Sequence, residues 1–210
     1  MRHLGEAKIR QEAAFWAGEG DAWHRRNLGR WINYAVVAAI INLNIKPEKI
    51  LEIGCGAGKY LDALHQTYDC TCVGVDPSGE AIAYGREHYP DLKLHLGTVE
   101  TAYTMFRGEE FDLIIFGFCL YVMDRDGLFD IVASTDVLLK ENGYIAIHDF
   151  HPRAPYVLPY HHKEGLFSYK MRYADLWLAN PAYEWISETS TAPGEAITII
   201  KKGSWGRWQV

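Results

Sequence analysis

The sequence predicts an α/β fold with a doubly wound, mostly parallel sheet and an antiparallel hairpin strand at its C-terminal end. Three observations predict it. Apolar runs of strand length alternate with helical spacing between residues 50 and 148, the pattern of successive strand–helix units. The run Phe111-Asp112-Leu113-Ile114-Ile115-Phe116 is almost unbroken, as suits a strand covered on both faces. Near the C-terminus, runs 183–190 and 196–201 are joined across Ala192-Pro193-Gly194, which makes a hairpin and not a crossover.

Taken in order, residues 7–18 and 31–43 read as two helices ahead of the first strand. Lys46-Pro47-Glu48-Lys49 is a turn, and 50–53 a short strand followed by a Gly-rich loop. Leu61, Leu64 and Tyr68 give 60–68 helical spacing. Strand 71–75 ends at Asp76, and Pro77-Ser78 opens a helix to about residue 88. The third strand is 92–96, followed by a short helical stretch, and the fourth 111–116. A helix over 126–139 stops at Glu141-Asn142-Gly143, and 144–148 is the fifth strand. Residues 150–168 form a long, irregular, His- and aromatic-rich segment, which needs a reason such as substrate binding. The division expected is one domain over 1–210, with N-terminal helices in 1–44 over the cofactor site and a substrate-binding insertion at 150–182.

A chain of 210 residues, 49% hydrophobic and 23% charged, has the interior and balance of one folded domain. A net charge of −6 argues against a nucleic-acid partner, whose phosphates call for a basic footprint. Cys55, Cys70, Cys72 and Cys119 form no disulfide framework, so a reducing cytoplasm is expected. The first residues lack the apolar core of a signal peptide. The longest apolar stretch, 31–43, is interrupted by Asn33 and Asn42 and is too short to span a bilayer, so no membrane partner is expected. A monomer or homodimer suits this profile.

Gly54, Gly56 and Gly58 follow a strand and open a helix, where the backbone turns sharply and a ligand can approach without a side chain in the way. A nicotinamide fingerprint would need Gly at 59, where Lys59 stands, and no Gly-Lys-Ser/Thr follows for a phosphate loop. Glu52, just before the loop, would welcome an amine-bearing ligand. Asp76 ends the second strand at the sheet's carboxyl edge, placed to accept both hydroxyls of a ribose. Its alternatives are a helix N-cap for Asp76 and a tight turn with no ligand for the loop.

These residues carry a resemblance. Leu51-Glu52-Ile53-Gly54-Cys55-Gly56-Ala57-Gly58, Val75-Asp76-Pro77-Ser78, Phe111-Asp112-Leu113-Ile114-Ile115 and Leu138-Leu139-Lys140-Glu141-Asn142-Gly143-Tyr144 together resemble the motif series of class I S-adenosylmethionine-dependent methyltransferases. The resemblance covers about residues 45–150 and implies a Rossmann-like fold with S-adenosylmethionine as cofactor. It implies that Glu52, Gly54 and Gly56 contact the methionine end, with Cys55 and Gly58 completing the loop. It places Asp76 at the ribose with Pro77 beside it, Thr98 and Val99 around the adenine, and Phe116 and Gly117 beneath the sulfonium. The opening Phe15-Trp16-Ala17-Gly18-Glu19-Gly20-Asp21 with Arg26-Asn27 resembles methylases associated with pseudaminic acid and related surface-sugar biosynthesis. It is one residue shorter between Glu19 and Gly20, and Tyr121 stands where that group tends to carry His.

Methyl transfer from a sulfonium is an in-line displacement, so the enzyme aligns the two partners, excludes water and, where needed, accepts a proton. His titrates near neutrality, which makes His151, His161 and His162 the candidate bases; ordering of their loop is the alternative role. His148, Asp149, His151, His161 and His162 lack the tight spacing of a zinc site, and no metal is expected. Trp16, Tyr34, Phe118 and Tyr121 are candidate walls for the methyl donor, since aromatic faces attract a sulfonium. Arg25 and Arg26 suit an acidic substrate such as a carboxylate or phosphate, the alternative being a solvated face, the commoner fate of paired charges. The function expected is methylation of O or N of a small polar metabolite, a sugar derivative among the candidates. Alternatives are an RNA or protein methyltransferase, for which no basic groove or Asn/Asp-Pro-Pro-Tyr motif is visible, a non-catalytic module that binds S-adenosylmethionine, and, more distantly, a nicotinamide oxidoreductase.

Overall fold

The computed structural model describes residues 10–30 and 33–204. Helix α1 (Gln11–Ala14) runs through a π-helical turn (Phe15–Glu19) into α2 (Gly20–Asn27), and α3 (Ala35–Asn42) precedes the sheet. Then come β1 (Lys49–Ile53), α4 (Lys59–Tyr68), β2 (Thr71–Asp76), α5 (Gly79–His88), β3 (Lys93–Leu96), α6 (Val99–Phe106) and β4 (Phe111–Gly117). After two 3-10 turns, Leu120–Val122 and Arg125–Gly127, follow α7 (Leu128–Leu138) and β5 (Leu139–Phe150). The last part comprises β6 (Tyr156–Pro159), β7 (Phe167–Lys170), α8 (Asp175–Leu178), β8 (Tyr183–Ala192) and β9 (Glu195–Lys202).

Seven strands form one sheet in the order β3-β2-β1-β4-β5-β9-β8. The first five are parallel, and β9 is antiparallel to both β5 and β8. This is the doubly wound, mostly parallel sheet with an antiparallel C-terminal hairpin that the sequence predicts. Alternation along the strands divides the core into two layers. Leu51, Ile53, Ile114, Phe116, Ile145 and Ile147 pack with residues of α6, α7 and α8. Ile50, Leu113, Ile115 and Ala146 pack with residues of α3, α4 and α5. Winding reverses between β1 and β4, so the loops leaving their carboxyl ends part and leave a crevice.

Several sequence expectations are corrected. The N-terminal helix does not stop at residue 18: Gly18 takes φ 121, the turn widens to a π-helix, and the helix resumes to Asn27. The described part of the expected 7–18 helix starts at Gln11, and residues 31 and 32 of the expected 31–43 helix lie outside the described residues. The fifth strand begins at Leu139, which already pairs with Phe111. Asn142, at φ 64, belongs to a register shift in that ladder and does not form a stop to α7. The segment 150–168 is not wholly irregular, because β6 and β7 pair as a hairpin within and just beyond it. Further along the 150–182 stretch, Tyr173, Ala174 and Trp177 are core residues. Trp177 packs on Phe116 with ring centroids 5.4 Å apart and donates its indole N–H to Thr135 Oγ1 at 3.0 Å. Cys70 and Cys72 lie with their Sγ atoms 3.5 Å apart, and both are free thiols.

Candidate active site

The loop after β1 turns on three glycines in left-handed conformation, Gly54 (φ 71), Gly56 (φ 54) and Gly58 (φ 81). A Cβ at Gly54 would stand 2.6 Å from Cys119 Cβ, so only glycine fits between β1 and the loop after β4. Asp76 closes this loop from β2. Its Oδ2 accepts the Gly56 N–H at 2.8 Å and its Oδ1 the Ser78 N–H at 2.8 Å. The N-cap of α5 is Ser78, whose Oγ accepts the Ala81 N–H at 3.0 Å. Asp76 is therefore free of the capping role that its sequence position also allowed.

Burial pushes the Asp76 carboxyl up to about 6, against the pull of the Ser78 and Gly56 amides. Glu52 is 2% exposed, and burial, then the neighbouring Asp76, hold it well above the ordinary carboxylate range. Its Oε2 is buried and accepts no hydrogen bond. Such an acceptor is costly to leave unmet, and an amine or ammonium donor would satisfy it.

A cavity of about 1170 Å³, including its mouth, lies along the crevice. Its wall takes Gly54 from after β1, Asp76 and Pro77 from β2, Thr98 and Val99 from after β3, and Gly117 and Phe118 from β4. Phe15, Gly20 and Trp23 line it from the N-terminal helix, and Tyr121 from the 3-10 turn. That helix is tied down by Asp124, which accepts the Gln11 and Glu12 N–H groups at its open start. Asp21 accepts the Ser78 hydroxyl at 2.7 Å at the other end.

Among the residues predicted to bind the cofactor, Gly54, Asp76, Pro77, Thr98, Val99, Gly117 and Tyr121 meet on this one cavity. Glu52, Cys55, Gly56, Gly58 and Phe116 are not among its lining residues, and Phe116 is fully buried against Trp177. Trp16 does not line it and is 42% exposed. Phe15 and Trp23, which the sequence reading missed, line it instead. The signal was a helix continuing through Gly18.

A second pocket of about 650 Å³ adjoins the first and shares Trp23 and Tyr121 with it. It is lined by Arg26, Arg30, Tyr160, His161, His162 and Lys170, among others. His161 and His162 are therefore near neighbours of the main cavity, with rings 3.8 Å apart. Desolvation, then Arg26, lower the pKa of His162. His151 lines neither pocket: its Nε2 lies 3.3 Å from Glu188 Oε2. His148 is fully buried, held by burial down at about 4, and packs on Phe118. Asp149 is pushed up to about 7 by burial and accepts the Leu120 and Phe150 N–H groups, which fixes the turn that carries Tyr121. Arg25 pairs with Glu80 at the surface, whereas Arg26 pairs with buried Glu19. Among the described residues no His, Cys, Asp and Glu cluster could hold a metal, and no helix is long and apolar enough to cross a membrane.

Residues 50–143 match a family model described as a methyltransferase domain. That stretch, less than half of the 210-residue chain, is similar to a methyltransferase domain. The matched stretch runs from β1 through α7 to the register shift in β5, and so contains the Gly loop, Asp76 and the end of β4. No curated protein matches the chain in sequence. Among solved structures, it is similar to Burkholderia thailandensis 1,6-didemethyltoxoflavin-N1-methyltransferase with bound 1,6-didemethyltoxoflavin and S-adenosylhomocysteine. That likeness has TM-score 0.73 at 14% identity, over 97% of this chain and 94% of the other. It is also similar to human N-acetylserotonin methyltransferase in complex with S-adenosylmethionine (TM-score 0.68, 16% identity, 96% of this chain and 61% of the other). A third likeness is to DesVI of Streptomyces venezuelae (TM-score 0.64, 16% identity, 89% and 98%). At these identities the likeness establishes the shared fold.

The residues around the crevice fit S-adenosylmethionine. Glu52 offers an unmet buried acceptor to an amine, and Asp76 a carboxylate at the strand end to a pair of hydroxyls. The pH dependence follows. The raised Asp76 value means that folding favours its neutral form. Its contribution to stability is full below about 4 and is lost as pH rises through about 6. Cofactor affinity runs the other way, because the carboxylate is the better acceptor. The dissociation constant of S-adenosylhomocysteine, measured calorimetrically, should be flat from pH 7 to 8 and weaken by up to about tenfold per unit below about pH 6.

Proposed function

We propose that this protein transfers the methyl group of S-adenosylmethionine to an oxygen or nitrogen of a small polar metabolite, of which a sugar derivative is one kind. The observation that carries this reading is the pair of adjoining pockets that share Trp23 and Tyr121. The inner one has room for a nucleoside-sized donor. The outer one has the size of a small molecule and is walled by Trp23, Tyr121 and Phe150, with Asn27 and Ser168 as polar partners. The net charge of −6 supports the same reading over a nucleic-acid substrate.

Bound S-adenosylmethionine supplies a methyl group on a sulfonium. In this reading Glu52 and the loop amides orient the amino-acid end, Asp76 the ribose, and Thr98 and Val99 the base. Trp23 and Tyr121 cover the junction of the pockets, with Phe15 on the wall of the first. His162, whose pKa desolvation and then Arg26 lower, accepts the acceptor's proton, with His161 beside it. His151, engaged with Glu188, is left out of this role.

Methyl-labelled S-adenosylmethionine offered with a size-fractionated cell extract tests the proposal. Label should appear in the small-molecule fraction. Label in RNA or protein, or tight cofactor binding with no transfer to any fraction, would contradict it.

A further inference from the structure

The outer pocket has an unusual charge for this chain. Arg26, Arg30 and Lys170 line it, together with His161 and His162, and no carboxylate does. Glu19 neutralises Arg26 through their ion pair. Arg30 and Lys170 pair with no carboxylate among the described residues. Among the described residues the Arg30 guanidinium reaches the Asn27 amide oxygen at 3.3 Å, and Lys170 Nζ stands 3.7 Å from the Phe150 ring centroid and 5.7 Å from that of Tyr156. Arg26 Nε is buried and has no hydrogen-bond partner. Arg30 and Lys170 thus face one small pocket with no carboxylate paired to either among the described residues, the Lys170 ammonium resting on the Phe150 and Tyr156 rings, in a protein whose overall charge is −6. A pocket for a neutral acceptor would gain nothing from holding them there, because like charges near one another repel.

We infer that the outer pocket receives an oxyanion, a carboxylate or phosphoryl group of the methyl acceptor, between Arg30 and Lys170. The guanidinium offers paired N–H donors suited to either group, and the ammonium a point charge. With its anionic end held there, the molecule's other end lies against Trp23 and Tyr121, at the junction with the donor cavity. The acceptor is then an acidic metabolite, which deepens the methyltransferase reading above and rests on it.

The test uses full-length protein saturated with S-adenosylhomocysteine, titrated with inorganic phosphate and separately with malonate, against chloride at equal ionic strength. At least one of the two oxyanions should bind saturably, and the one that does names the group. The Arg30→Gln/Lys170→Gln protein should bind it at least tenfold more weakly, with its affinity for S-adenosylhomocysteine within twofold of wild type. Arg30 is exposed in a loop, so Arg30→Gln alone carries the comparison if the double variant folds poorly. If neither oxyanion binds beyond chloride, or the variant binds as well as wild type, the inference is overturned while S-adenosylhomocysteine binding stands. If wild type fails to bind S-adenosylhomocysteine at all, it is the methyltransferase reading that falls.

Discussion

The Asp76→Ala protein should bind S-adenosylmethionine at least about a hundredfold more weakly than wild type. Two hydrogen bonds from ribose hydroxyls to a carboxylate are worth about 1.5–3 kcal/mol each. About 3 kcal/mol in all corresponds to roughly two factors of ten in the dissociation constant. The substitution also strips the Gly56 and Ser78 amides of their acceptor, which loosens the turn that approaches the cofactor. Asp76→Asn keeps one acceptor oxygen and should fall between the two. Calorimetric titration decides it: a change under threefold for Asp76→Ala would remove this residue from the cofactor site.

Trp177→Ala should lower the unfolding free energy by about 3–5 kcal/mol. The side chain is fully buried. It braces Phe116, whose strand carries Gly117 and Phe118 into the cavity wall, and its indole bond to Thr135 pins α7. For a domain whose total stability is about 5–15 kcal/mol, this loss is large. Urea denaturation measures it. A loss below about 1 kcal/mol would show that the far end of the 150–182 stretch is not part of the core. Trp177→Phe, which keeps most of the volume and loses the hydrogen bond, should cost clearly less.

The fate of Trp177 shows where sequence reasoning stopped. The parallel strands were legible because a strand buried on both faces must be apolar throughout, as in 111–116. The glycine loop and Asp76 were legible because their chemistry needs strand ends, and strand ends follow from the strands. Thr98, Val99 and Gly117 were named only through the resemblance to methyltransferases. The resemblance to methyltransferases then assigned roles that spacing alone left open.

What stayed hidden depends on contacts between distant parts of the chain. Tyr156, Val157 and Leu158 in β6 are all exposed, so no alternation marks the strand that pairs with β7. Gly18 and Asn142 look like helix stops, and in the fold they are a widened turn and a register shift. The helix beyond Gly18 brings Trp23 to the junction of the two pockets. Glu19 and Tyr160 lie 141 residues apart, yet the Tyr160 hydroxyl donates to Glu19 at 3.2 Å and ties that helix to the outer pocket. His151 and His161 read alike in sequence, and only the hairpin, which sets Glu188 beside His151, tells them apart.

The central claim is that the crevice at the carboxyl ends of β1, β2 and β4 holds S-adenosylmethionine, and native mass spectrometry of the purified protein tests it most directly. The account predicts one S-adenosylmethionine or S-adenosylhomocysteine per chain, either carried through purification or taken up when added, and its loss from Asp76→Ala. Bare wild-type protein that takes up neither compound, or equal uptake by Asp76→Ala, would contradict it.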